Sequence, residues 1–250
     1  MHPTYVAIRN HARLIASRFP PPLFYTVFSQ EHLFSRRILS SDSLIDRLQR
    51  EMAERLNNNL GHGLKHAEIV AVDVGTLMTV EGKRVGYSEE SVRRHITIVQ
   101  CAALLHDVNR SQKDHARKGA ETAREILKKF PLTPEEVDNI CRAIENHEAF
   151  KPAASIPGPS GALISNCLYD ADKFRWGPDN FTDTVWHMVS FARTPVPEFI
   201  KGYPGALEGL TRIKSTFRTD TGKEYGPQII DLGLEIGRAL QGVIQSDFSK

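Results

Sequence analysis

The chain has 250 residues, 40% of them hydrophobic and 25% charged, which suits one globular unit with a sizeable core. Its 32 Lys and Arg against 30 Asp and Glu leave a formal charge of +2, so no global basic field points to a nucleic-acid groove or an anionic membrane. The three cysteines, Cys101, Cys141 and Cys167, have neither zinc-finger spacing nor a disulfide framework, and they read as reduced core thiols. There is no N-terminal apolar run of the secretory type and no apolar stretch of about 20 residues, so a cytoplasmic protein is the expectation.

Residues up to Ser41 mix prolines with large apolar residues ("RFPPPLFYTVF") and read as an irregular or helical extension. "SDSLIDRLQREMAERL" is a helix capped by Ser41 or Ser43, with Leu44, Ile45, Leu48, Met52 and Leu56 at helical spacing, and "NNNLGHG" breaks it. In "LKHAEIVAVDVGTLMTV", His66, Ile69, Val70, Asp73 and Leu77 share one face at about 100° per residue. "SEESVRRHITIVQCAALLHDVNR" starts at a Ser88 cap and carries Ile96, Val99 and Ala103 as its stripe. Its last two turns are apolar nearly all round, the mark of a central buried helix.

"KDHARKGAETAREILKKF" turns Ala120, Ala123, Ile126, Leu127 and Phe130 inward. "LTPEEVDNICRAIENHEAF" opens on Thr133, Pro134 and Glu136, a helix-start signature, and ends near His147 and Glu148. "KPAASIPGPSG" is a loop, and "ALISNCLYDADKFRWG" is the next helix. Beyond it, "FTDTVWHMVSFA", "PGALEGLTRIKSTF" and "QIIDLGLEIGRALQGVI" look helical, and "TDTGKEYGPQ" reads as a turn. No run of alternating strands appears. The fold class is all-α, a helical bundle forming a single domain over 1–250, with a core at 44–176 and helical extensions, 1–43 and 177–250, packed on it.

Asp107 ends an apolar run, and a buried carboxylate there is costly unless a partner offsets it. Four core helices carry His or Asp on or beside the buried stripe: His66, then His106 and Asp107, then His147, then Asp170 and Asp172. One divalent cation satisfies such a set together and compensates its negative charge. Adjacent helix residues point about 100° apart, so His106 and Asp107 share an ion only where the helix ends, as Asn109 and "RSQKD" suggest.

The order His … His-Asp … Asp resembles the HD-domain superfamily of metal-dependent phosphohydrolases. The matching pieces are "GLKHAEIVAVDV", "AALLHDVNR", "DHARKGAETAREIL", "IENHE" and "LYDADKF". The resemblance implies an all-α bundle around a metal, with His66, His106, Asp107 and Asp172 as its ligands. Helical periodicity alone favours Asp170 over Asp172; the family pattern matches Asp172, leaving Asp170 as a residue that orients a ligand histidine. "HARKGA" and "ENHE" are similar to elements that build a second metal site in the HD-GYP branch and in cyclic-nucleotide phosphodiesterases. They would use His115 and His147. Two departures stand against a full match: "HDVNR" replaces "HDIGK", and Asn146 replaces the first histidine of "HHE". His62, one turn before His66, is a further candidate to touch substrate or orient a ligand.

Two imidazoles and two carboxylates leave coordination positions open, which suits Mn, Fe, Co or Ni better than closed tetrahedral Zn and still admits Mg. One or two ions per chain are expected. Lys65, Arg110, Lys113, Lys173 and Arg175 are the candidate phosphate contacts, and Asp73 or Glu148 the candidate base for the attacking water. "STFRTDTGKEYGP", with Arg218 and Lys223, reads as a surface turn, with an anion-binding loop as the alternative. The implied function is hydrolysis of a phosphoester of a nucleotide or small phosphorylated metabolite. A dinuclear-iron HD-type oxygenase and a non-catalytic nucleotide-sensing module are the alternatives. The expected partner is the phosphorylated small molecule, with no nucleic acid or membrane, and a homodimer is left open.

Overall fold

The computed structural model describes residues 1–56 and 63–248, so His62 lies outside the described residues. Among the described residues there are twelve α-helices and no strand. The N-terminal extension holds three helices, α1 (Pro3–Ala16), α2 (Leu23–Val27) and α3 (Ser29–Ser41), with an irregular link through the prolines at 20–22. Then come α4 (Ser43–Leu56), α5 (Leu64–Arg84), α6 (Glu89–Leu105), α7 (His115–Leu127), α8 (Pro134–Glu145) and α9 (Pro159–Phe174). The C-terminal part holds α10 (Val185–Phe191), α11 (Val196–Thr211) and α12 (Asp220–Asp247).

Apolar continuity in sequence decides which helices lie innermost. Every residue of α5 from Val70 to Gly82 is buried, as is every residue of α6 from Ile96 to Leu105. These two helices pack along each other; α3 covers α5, α9 packs on α5 and α8, and α7 pairs with α8. The C-terminal α12 runs across α1, α9 and α11 and binds the two ends of the chain to the centre.

The caps explain where the helices begin. Ser88 Oγ accepts from Ser91 N at 3.2 Å. Thr133 and Glu136 form a reciprocal capping box at the start of α8. α4 is capped by Asp42, not by Ser41 or Ser43: its Oδ1 accepts from Leu44 N at 2.9 Å.

Two expectations for the C-terminal part are corrected. "TDTGKEYGPQ" is no turn but the first turns of α12, with Pro227 inside the helix. Thr219 Oγ1 caps it by accepting from Gly222 N at 2.8 Å. Gly222 is there for close approach: a Cβ on it would lie 2.0 Å from Asp170 Oδ2. Likewise α11 starts at Val196, ahead of "PGALEG", and continues through Pro204.

Candidate metal centre

The last turn of α6 ends at Leu105, so His106 and Asp107 leave the helix together and their side chains converge. The following loop is tied to α7, because Asn109 Nδ2 donates to Lys118 O at 3.0 Å and to Thr122 Oγ1 at 2.8 Å. That tie sets His115, the first residue of α7, opposite Asp107. His147 arrives just past the end of α8, His66 from the first turn of α5, and Asp172 from the last turn of α9.

Two of the imidazoles are fixed in the same way. His106 Nδ1 lies 2.6 Å from Ala103 O, and His147 Nδ1 lies 2.6 Å from Ile144 O. A carbonyl only accepts, so each ring donates through Nδ1 and, when neutral, keeps its lone pair on Nε2. Both Nε2 atoms are buried and have no hydrogen-bond partner among the described residues.

Those lone pairs point at carboxylates. His106 Nε2 is 3.4 Å from Asp107 Oδ2 and 3.7 Å from Asp172 Oδ1, and His66 Nε2 is 3.5 Å from Asp172 Oδ1. His147 Nε2 is 3.5 Å, and His115 Nε2 3.8 Å, from Asp107 Oδ1. The ligand atoms of His66, His106 and Asp107 all lie within 4.8 Å of one another, and so do those of Asp107, His115 and His147. Asp107 belongs to both triads, its Oδ2 towards His106 and its Oδ1 towards His115 and His147.

These spacings are too long for good hydrogen bonds. They are close to what a shared ion requires, since ligands about 2.1 Å from one centre stand roughly 3 Å apart at right angles. Buried imidazole lone pairs facing carboxylate oxygens fit a divalent cation, and the donor set of N and O atoms suits a first-row metal.

The local electrostatics follow from burial and from these neighbours. Burial works against charging His106, but Asp107 and Asp172 raise its pKa above the ordinary imidazole value. Asp172 is held well below the usual carboxylate range: burial opposes this, and Lys173, His66 and His106 overcome it. Burial, His147 and Arg110 push His115 down to about 4. Glu148 lies 3.6 Å from His115 Nδ1, and despite burial its pKa is lowered by Lys151 and His115.

The other expected site residues are more scattered. Asp170 is not near the histidines. Its carboxylate accepts from Arg218 N and Thr219 N, each at 2.8 Å, and from Thr219 Oγ1, which anchors α12. Asp73 lies apart from both triads, paired with Arg175 and accepting from Tyr25 Oη at 3.0 Å. Burial pushes Asp73 up to about 6 against the pull of Arg175. Arg175 is itself engaged by Asp73, Asp179 and Tyr25.

Lys173 is buried, bonded to Asp172 Oδ2, and set over the rings of Tyr169 and Trp176 at 5.1 and 5.7 Å. It steadies a carboxylate of the cluster rather than standing open at a rim. Arg110 does face the cluster, with Nη1 2.8 Å from His115 Nε2 and 3.8 Å from Asp107 Oδ1. Lys113 is exposed on the loop before α7, and Lys65 is exposed on α5. Arg218 donates to Asn146 O at 3.0 Å and stacks over Tyr169, while Lys223 is exposed, so the anion-loop alternative has no shape here.

Two cavities adjoin this region. One, of about 440 Å³, is lined by His66, Arg110 and Asp172 together with side chains of α10 and α11. The other, of about 660 Å³, is lined by Tyr25, His32, Arg36, Lys65, Asp73 and Arg175, among others. Arg175 borders both. The first cavity could not be read from sequence, because α10 and α11 reach the cluster only through tertiary packing.

The HD domain family model matches residues 50–177, and with them all the residues of both triads. The chain belongs to the HD-domain family. No curated protein and no solved structure matches it. As an HD-domain protein it falls in a family of metal-dependent hydrolases that bind divalent cations. No described helix is long and apolar enough to cross a membrane.

Proposed function

We propose that this HD-domain protein is a metal-dependent phosphohydrolase that cleaves a phosphoester of a nucleotide or other small phosphorylated metabolite. The observation that carries the reading is the convergence of buried imidazole Nε2 atoms from His106 and His147 on the two oxygens of Asp107. His66, His106, Asp107 and Asp172 would hold one ion, of the Mn, Fe, Co or Ni type, and Asp107, His115 and His147 a second. A divalent cation so held lowers the pKa of bound water towards neutrality and polarises a phosphoryl oxygen.

The chain's own groups prepare that chemistry. The carbonyls of Ala103 and Ile144 hold the ring tautomers. Lys173 occupies Asp172 Oδ2 and leaves Oδ1 facing His66 and His106. Glu148 stands beside His115 Nδ1 and would orient that ring. Arg110, which lines the cavity, is placed to meet phosphoryl oxygens where charge develops. In this reading residues 44–176 form the hydrolytic core, and the two extensions shape what reaches it.

The second triad also supports the oxygenase alternative, which needs His115 and His147 as ligands of a paired iron centre. The test is turnover of a phosphoester panel by Mn-loaded protein, beside dioxygen uptake by iron-loaded protein. Phosphate release that is lost in His106→Ala and Asp107→Ala supports the hydrolase. Dioxygen consumption without phosphate release contradicts it, and nucleotide binding with neither would make the chain a sensing module.

A further inference from the structure

Away from the His/Asp cluster, the cavity beside it is walled largely by apolar side chains. Where it leaves His66, Arg110 and Asp172, its walls are Trp176, Phe181, Val189, Phe199, Tyr203 and Leu207. Phe181 sits in a wider π-type helical turn, Asn180–Thr184, and is buried beside Tyr203 of α11 and Gly237 of α12. The Tyr203 hydroxyl is used internally, donating to Gly237 O at 3.2 Å. The cations among the lining residues are Arg110 and Arg175, and Arg175 is held by Asp73 and Asp179. Outside the cluster and these cations, Trp176, Asn180, Thr184 and Glu198 are the lining side chains that offer hydrogen bonds besides Tyr203, and Glu198 is exposed.

We infer that the substrate is an aryl or alkyl phosphomonoester, whose phosphoryl group meets the cluster and Arg110 while its apolar part fills this cavity. The inference rests on the phosphohydrolase reading and narrows its substrate class. A nucleobase or a sugar would bury polar edges against phenylalanine and leucine, with few groups to satisfy them. A polyphosphate chain would need more cations than these two arginines, of which Arg175 is held by Asp73 and Asp179 and Arg110 already contacts His115 Nε2. An aromatic or aliphatic group instead gains from leaving water, and about 440 Å³ is an ordinary size for a ligand pocket. In the reaction, a water oxygen bonds to phosphorus and the ester P–O bond breaks. The departing alkoxide or phenoxide takes a proton derived from that water, and the products are inorganic phosphate and an apolar alcohol.

Gly202 supplies a way to test the cavity without disturbing the cluster. It lines the cavity at its exposed edge, and a Cβ built on it meets nothing within 4 Å, so Gly202→Leu adds bulk at the mouth without a clash at the backbone. The experiment uses Mn-loaded full chain and two inert probes, 1-naphthylmethylphosphonate and methylphosphonate, titrated by calorimetry. Turnover of 1-naphthyl phosphate, glycerol phosphate and AMP is measured in parallel.

The naphthyl probe should bind about thirtyfold more tightly than methylphosphonate. 1-Naphthyl phosphate should lead in kcat/KM by a comparable factor, and Gly202→Leu should erase most of both preferences. Equal binding of the two phosphonates by the wild-type chain overturns the inference whatever the variant does. Preferred turnover of AMP or glycerol phosphate overturns it too and leaves the hydrolase reading standing. A naphthyl preference in binding with no phosphoester hydrolysed would support the apolar ligand and remove the hydrolase reading instead.

Discussion

His106 and His147 repeat one device: a histidine just past a helix end donates back to the carbonyl three residues earlier and presents Nε2 inward. Because Asp107 lies between them, single substitutions should separate the two triads. His147→Ala should lower bound metal yet leave an ion at His66, His106 and Asp107, whereas His106→Ala should strip that ion; elemental analysis of each variant reads the difference. Lys173 carries a second prediction. It holds Asp172 Oδ2 from a buried position, so Lys173→Met should weaken Mn binding about ten- to a hundredfold, measured by titration. An unchanged Kd would return Lys173 to a phosphate-contact role. Asp107 was legible in the sequence because it ends an apolar run and demands a partner, and the order His66, His106-Asp107 was legible through its resemblance to the HD pattern. Helical periodicity favoured Asp170 and the family pattern Asp172, since both lie on one buried helix; the approach of Thr219 to Asp170, and of Asp172 to His66 and His106, tells them apart.

Helix ends separate structural acids from chemical ones. Asp170 receives three hydrogen bonds at the start of α12, so Asp170→Ala should cost roughly 2–3 kcal/mol in unfolding experiments and leave bound metal unchanged. Asp172→Asn should do the reverse. The capping box of α8 gives another check: Thr133→Ala should cost about 1 kcal/mol. Glu136 adds a pH dependence. Burial tends to raise its pKa, but Arg94 and the Thr133 backbone N–H lower it below the ordinary carboxylate value. Its contribution is therefore full above that ordinary value and fades as pH falls through the lowered one. Glu136→Gln should lower the Tm at neutral pH, and the gap to the wild type should close as the pH falls through the lowered pKa. The α8 start was legible because its cap chemistry is local. The α12 start was not: glycines at 222 and 226 look like a turn, and only the close packing of Gly222 against Asp170 and of Gly226 against Phe217 shows why they belong in a helix.

The all-α architecture was legible throughout, because helical periodicity recurs and strand alternation does not, and the central placement of α5 and α6 followed from their unbroken apolar runs. What sequence could not show is how the C-terminal helices meet the core. Pro204 read as the start of a helix and Pro227 as part of a turn, yet α11 and α12 run through them, and α11 with α10 walls the cavity beside the cluster. Everything proposed for the molecule depends on Asp107 serving two triads at once. The most direct measurement is the metal content of the full chain and of Asp107→Ala after equilibration with Mn and exhaustive dialysis. The wild-type chain should retain at least one ion per chain and the folded variant none; equal retention by the two would contradict the account.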